Sequence, residues 1–441
     1  MSERTILVWF RNDLRIHDNE ILLEAIKKAD KILPVYCFDP FYFKQTAAGL
    51  AKTGNIRARF LVESVADLRE NLRKLGGELI IRTGNPAEIL LQLAQQYQVN
   101  EVYHHREVAF EETEISEAVE TALWKIKLNL KHFIGHTLYH KEDLPFPIKD
   151  IPDSFATFRK KVERDSDVRP CIETPAHVAT PNIDDAGKIP TLAELGLTEP
   201  IDDQRALFHY QGGETAALQH LELYISSLDF GQNQKNAKHT ESPSRLSAWI
   251  SMGCLSQRMV YHEVMKHVTG GHSSGTPLIL ELLWRDYFRF MFKKYGKQFF
   301  NPEGFKDEAP DLSTEQDALF EKWKDGHTGV RYIDAAMHKL NATGYISNAN
   351  RQVVAAFLVN NLKADWTKGA AYFEEKLIDY SPASNWGNWA FIAGVANDTR
   401  DNRYFAGVKQ AENLETKSDF IDTWLPGIND DSSSLVGAGP V

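Results

Sequence analysis

Between residues 5 and 140 the chain alternates short runs of β-branched and aromatic residues with amphipathic stretches, which constrains its fold more than any other feature. TILVWF (5–10), ILPVYCF (32–38), ELIIRTG (78–84), EVYHH (101–105) and HFIGHTL (132–138) read as strands. Near-continuous apolar runs suit strands buried on both faces, and helical crossovers between them suit parallel pairing, so a doubly wound α/β sheet is expected. Phe60, Leu61, Val65, Leu68 and Leu72 recur near helical spacing within 57–75, and Pro86 stands where the first residue of a helix can do without its N–H. No GxGxxG follows the first strand, which argues against a Rossmann dinucleotide site.

After residue 140 the pattern changes. Residues 141–205 hold eight of the 18 prolines, the mark of a connector (141–212) that wraps instead of forming regular elements. From 213 to 428 helical periodicity dominates, as in Leu278 to Phe292 and Arg351 to Leu362, so the second domain is expected to be nearly all α. Residues 429–441 are rich in Ser, Gly and Asp without periodicity and read as a disordered tail. Seven of the 9 tryptophans fall after residue 240, which places the aromatic chemistry in the helical half.

Composition narrows the function classes. At 441 residues, 43% hydrophobic and 25% charged, the chain resembles an ordinary soluble enzyme. Its net charge of -11 argues against a protein that coats nucleic acid non-specifically, while leaving room for a local basic groove. Cys37, Cys171 and Cys254 are widely spaced, so neither a disulfide framework nor a zinc knuckle is expected, and a reducing cytoplasm fits. The apolar run Thr5 to Phe10 is too brief for a membrane span or a secretory signal.

Several clusters could carry chemistry. In SNWGNW (384–389), Asn385 and Trp389 could grip a flat heteroaromatic ligand, one with its amide and the other with its ring; a packed core corner is the plainer reading. ELLWRD (281–286) brings Glu281, Trp284 and Arg285 together on a helix, against the alternative of a surface ion pair over a core Trp. Asn348 and Arg351 lie three apart, and Asp379 offers the acid that a buried Arg351 would need; a structural salt bridge between two helices is the rival reading. SPSRLSAW (242–249) reads as a hydroxyl-rich loop entering a helix, suited to a phosphate, or as a simple N-cap. His104 and His105, adjacent in a strand, point to opposite sides, so no metal site is expected; GGHSSG (270–275) lacks the Lys-Ser/Thr of a P-loop.

Together with WFRNDLRIHDN (9–19), KTGNIRARFLVESVADLR (52–69), TLYHKEDLPFPI (137–148), ELLWRDYFRF (281–290) and AGVANDTRDNRYF (393–405), these residues resemble the photolyase and cryptochrome family, and within it the DASH branch. The resemblance implies an antenna-type α/β domain followed by an all-α FAD-binding domain. It assigns cofactor contacts to Ser244, Arg245, Leu246, Ser247, Arg285, Asn348, Arg351, Asp379, Ser381 and Asn385. Glu281 and Trp284 match the residues that touch the substrate, and Asn385 the residue facing the reactive ring nitrogen. Trp284, Gln352, Phe391, Lys409 and Gln410 are the implied DNA contacts.

The implied activity is blue-light-driven repair of cyclobutane pyrimidine dimers, mainly in single-stranded DNA, by electron transfer from excited reduced flavin. The alternative is a photoreceptor that binds DNA or a protein partner without efficient repair. A monomer is expected, with no membrane partner. Glu111, in REVAFEE (106–112), is the implied contact of a 5,10-methenyltetrahydrofolate antenna. Trp389 and Trp366 match the first two members of the family's electron relay, whereas Ser313 stands at its outer position, so the expectation is either slow photoreduction or substitution by Trp323 or a tyrosine such as Tyr345. Ser381, Pro243, Phe391 and the segment 226–241 also depart from the family pattern.

Overall fold

The computed structural model describes residues 3–46, 49–229, 244–268, 277–306, 310–397 and 418–426; the tail expected beyond 428 lies outside them. Five strands, β1 (Thr5–Phe10), β2 (Lys31–Phe38), β3 (Ile80–Thr83), β4 (Glu101–His105) and β5 (Leu130–Phe133), form one parallel sheet in the order β3-β2-β1-β4-β5. The doubly wound expectation holds, and the reason is visible in β1, whose six residues are all buried. Ile6, Val8 and Phe10 face the larger core, while Leu7 and Trp9 face a second layer with Leu90, Leu93, Val119 and Leu123. Those last four belong to helices α3 (Pro86–Gln96) and α4 (Phe110–Trp124); α1 (Glu20–Lys28) and α2 (Asn55–Lys74) complete the domain.

The fifth strand ends earlier than its apolar pattern suggests. Past Phe133 the backbone leaves β4 and serves other partners: Gln257 Nε2 donates to the carbonyl of His136 at 2.8 Å. A regular helix, α5 (Phe155–Asp165), lies within the proline-rich connector. It docks through Phe158 against Tyr287 and Phe290 of α9 (Pro277–Tyr295). Asp286 of α9 also accepts from the backbone N–H groups of Leu138 and Tyr139, both at 2.9 Å, which fastens the segment leading into the connector.

No strand follows β5 among the described residues. The remaining helices are α6 (Glu214–Asp229), α7 (Ser247–Ser251), α8 (Gln257–His267), α10 (Gln316–Lys324), α11 (Arg331–Thr343), α12 (Asn348–Ala356), α13 (Trp366–Lys376), α14 (Pro382–Ile392) and α15 (Ser418–Trp424). Buried polar pairs join the two halves: His17 to Glu214 at 2.5 Å, Asp18 to Arg258 at 2.6 Å and Lys52 to Glu374 at 2.9 Å. Gly253, at φ +67, sits so close to the backbone of Asn12 that a Cβ there would lie 1.8 Å from its carbonyl oxygen. Only glycine permits that approach.

Candidate functional site

A cleft of about 1560 Å³, counting its solvent-open mouth, enters the helical half between α9, α12 and α14. A recess of about 490 Å³ adjoins it and shares Asn348, Arg351, Asp379 and Ser381. The face of α9 spaced by three and four residues, Leu278, Glu281, Leu282, Trp284, Arg285 and Phe288, forms one wall. Burial raises the carboxyl pKa of Glu281 above the usual range, and burial lowers that of Arg285 to about 10. Arg285 Nη2 donates to the carbonyl of Ile250 at 3.3 Å, while its Nε has no partner.

Arg351 and Asp379 meet across the cleft's base, with Nη2 at 2.8 and 2.9 Å from the two carboxylate oxygens, and Arg351 Nε donates to the carbonyl of Ile346 at 2.9 Å. Asn385 is buried in the recess, where its Nδ2 donates to the carbonyl of Ala370 at 2.9 Å. Gln352 and Phe391 also line the cleft. Lys409 and Gln410, expected as DNA contacts, lie outside the described residues, as do Pro243 and GGHSSG.

The phosphate-type loop is only partly as expected. Ser244 and Ser247 line the cleft, and Ser247 Oγ is buried without a partner. Arg245 and Leu246 do not line it. Arg245 adopts φ +50, which turns its side chain toward the ring of Phe208, 5.1 Å away, and Leu246 is 1% exposed in the core. A pattern of hydroxyls and one Arg could not reveal that left-handed residue.

The indoles are also arranged differently from their order in sequence. Trp389 lies edge-to-face with Trp323, centroids 6.1 Å apart, and with Phe373 at 5.1 Å. Trp366 instead touches Trp386 at 5.9 Å and donates from Nε1 to the carbonyl of Pro302. Ser313 has no ring and makes local bonds only: its N–H donates to the carbonyl of Lys363 at 2.8 Å and its Oγ accepts from the N–H of Glu315 at 3.2 Å. Tyr345 lines the cleft beside Arg351.

A second cavity, about 870 Å³ with its mouth, lies between the halves and is lined by Tyr42, Lys52, Arg57, Glu112 and Tyr380 among others. Glu111 does not line it but reaches it through Lys52, at 2.7 Å. The contributions of Lys52, Arg57 and Tyr380 were missed, because residues near 50 and 380 become neighbours only when Arg57 donates to the carbonyl of Leu377 at 3.1 Å. His104 and His105 diverge as expected, to His132 at 2.7 Å and Asp13 at 2.6 Å. Among the described residues no three His, Cys, Asp or Glu side chains gather as metal ligands, and no helix is long and apolar enough to cross a membrane.

The cleft fits FAD on the evidence of its own atoms. Ser247 Oγ and Arg285 Nε are buried polar groups awaiting partners, and the Arg351–Asp379 pair is set into the base of a large concavity.

Comparison with known proteins agrees. The model of the DNA photolyase family matches residues 6–180, and that of the FAD binding domain of DNA photolyase matches residues 278–438. The chain is 42% identical to cryptochrome DASH of Gloeobacter violaceus over 97% of its own length and 86% of that protein's. It is 43% identical to cryptochrome DASH of Natronomonas pharaonis, over 96% of this chain and 90% of that one. The crystal structure of a Synechocystis cryptochrome superposes with a TM-score of 0.89 at 40% identity, covering 97% of this chain and 90% of that one. A Sulfolobus tokodaii photolyase, whose structure holds two FAD molecules, gives 0.79 at 26% identity, covering 97% of this chain and 91% of that one. With its parallel-sheet domain, its FAD-binding helical domain and relatives that match nearly end to end, the chain belongs to the photolyase and cryptochrome family, beside the DASH cryptochromes.

Proposed function

We propose that this protein is a light-driven photolyase that splits cyclobutane pyrimidine dimers in single-stranded DNA. Bound in the cleft, FAD supplies light absorption and an electron. The protein's own residues bind the lesion and orient it. Unpaired strands suit the site because extruding a base from them costs least, and aromatic walls bind bases with little regard to sequence.

The observation that carries this reading is that Glu281 and Trp284 share one wall of the cleft that also holds the Arg351–Asp379 pair. Burial keeps the Glu281 carboxyl protonated over a wider pH range than an exposed one, so it can donate a hydrogen bond to a pyrimidine carbonyl. Trp284 offers an indole as a stacking surface, with Phe391 tilted against it at 6.2 Å. On the cofactor side, Arg351 and Asp379 fix each other's charge. Asn385, with Nδ2 committed to Ala370, keeps its carbonyl oxygen for the ligand.

The cavity between the halves is proposed to hold a second chromophore, the folate antenna, with Lys52 held at its edge by Glu111. Action as a cytoplasmic monomer belongs to the same proposal, supported by three free cysteines. The test is repair of a single thymine dimer in a short single-stranded oligonucleotide, under blue light, with FAD-loaded protein reduced chemically beforehand. Repair supports a photolyase. Absence of repair with FAD bound would favour the photoreceptor reading, which the lack of an aromatic ring at Ser313 supports.

A further inference from the structure

Away from both cavities, a cleft of about 370 Å³ with its mouth opens where the β4–α4 turn, the exit from β5 and helix α9 meet. It is lined by Arg106, His136, Lys141, Arg289 and Lys293, with Glu107 as the acid among them. Four cations thus face one carboxylate, in a chain whose net charge is -11. That carboxylate is already engaged: Glu107 accepts from Arg289 Nη2 at 2.9 Å and from Asn12 Nδ2 at 3.0 Å. Arg106, Lys141 and Lys293 have no acidic partner among the described residues.

The cations also feel one another. The Lys293 ammonium is pushed below its ordinary pKa, first by burial and then by Lys141, Arg106 and Arg289. Like charges held together without a counter-ion oppose folding unless an anion joins them. One buried group points the same way. Arg289 is 5% exposed and leaves its Nε without a hydrogen-bond partner, whereas His136 Nε2 lies 3.4 Å from Glu107. A structure made only to hold these helices together would pair such a group.

We propose that this cleft binds a phosphate-type oxyanion, either free phosphate or the terminal phosphate of a small molecule. Arg106 and Lys293 supply charge at the surface, the Lys293 ammonium partly desolvated, while the buried Arg289 supplies a fixed donor. A dianion matches three cations left uncompensated better than a single carboxylate does, and guanidinium groups suit its geometry. The three segments that meet here include α9, which carries Glu281, Trp284 and Arg285, so a bound anion would brace the cleft wall against the sheet domain.

The test is the thermal midpoint of FAD-loaded protein against sodium phosphate, with ionic strength held constant by sodium chloride. A saturable rise is expected with phosphate and not with chloride. In the double variant Arg106→Gln/Lys293→Gln, which alters two exposed side chains, the apparent affinity should fall about tenfold or more while circular dichroism is unchanged. Glycerol phosphate in place of phosphate distinguishes the sources: an equal response indicates a phosphate ester, and a response to phosphate alone indicates the free ion. Equal shifts from phosphate and chloride, or an unaltered response in the double variant, would overturn the site.

Discussion

Phe155 of the connector stacks on Trp284 of α9 with ring centroids 3.6 Å apart and planes 11° apart. Phe155 is not part of the cleft lining, so it backs the indole from outside. Its placement is anchored two residues earlier, where Asp153 accepts from Lys294 Nζ at 2.9 Å and Tyr295 Oη at 2.6 Å. The connector thereby fixes the plane on which a base would stack.

Replacing that backing should loosen substrate binding more than chemistry. Phe155→Ala is expected to raise KM for a dimer-containing oligonucleotide about three- to tenfold, matching an aromatic pair of about 0.5–1.5 kcal/mol, with kcat little changed. Phe155→Tyr should restore KM. An unchanged KM in Phe155→Ala would show that the stack is only packing.

Asp379→Asn should uncouple the cofactor. It leaves the Arg351 guanidinium beside a neutral amide in a buried setting, where loss of one partner costs about 3–5 kcal/mol. FAD retained through gel filtration should fall well below that of the wild type, and the thermal midpoint should fall with it. Retention at the wild-type level would place the pair outside the cofactor site.

The packing of Trp323 on Trp389 makes Trp323 the expected next donor in light-driven reduction. Trp323→Phe should slow flavin bleaching under blue light with an external thiol about tenfold, since electron donation needs a redox-active ring in contact. Trp366→Phe should have the smaller effect. The reverse ranking would return the relay to Trp366.

Glu281 sets a pH limit on activity. Because burial raises its carboxyl pKa, the protonated donor persists above the ordinary range of about 4.3 and is lost as pH rises through the raised value. kcat/KM should therefore decline on the alkaline side. Glu281→Gln, a permanent donor, should remove that limb while keeping much of the activity; a profile identical to wild type would exclude the role.

Glu112 bears on stability instead. Burial, reinforced by the charge of Glu107, raises its carboxyl to about 8. The folded state then holds a proton that the unfolded chain releases near about pH 4.3, so this contribution is complete below that pH and is lost as pH rises through about 8. In wild type, the denaturant midpoint should fall over this window. Glu112→Gln should flatten the fall, and an equally steep fall in the variant would rule Glu112 out as its source.

Much of this was legible in the chain itself. The apolar runs determined the five strands and their parallel pairing, because a strand buried on both faces needs a continuous hydrophobic segment and a helical crossover. Spacing along one helix placed Glu281, Trp284 and Arg285 on a common wall, and the acid at Asp379 anticipated the partner of Arg351. These features follow from local periodicity or from charge that must be paired when buried.

Tertiary structure decided what depends on contacts between distant segments. It turned Arg245 outward through a left-handed backbone, ended β5 early by engaging its next residues with the helical half, and set Trp323 rather than Trp366 beside Trp389. It also gathered Arg106, Lys141 and Lys293 from three segments around one cleft. No periodicity encodes such meetings, because they depend on how whole elements pack, and that is settled only when the sheet and the helical bundle close on each other.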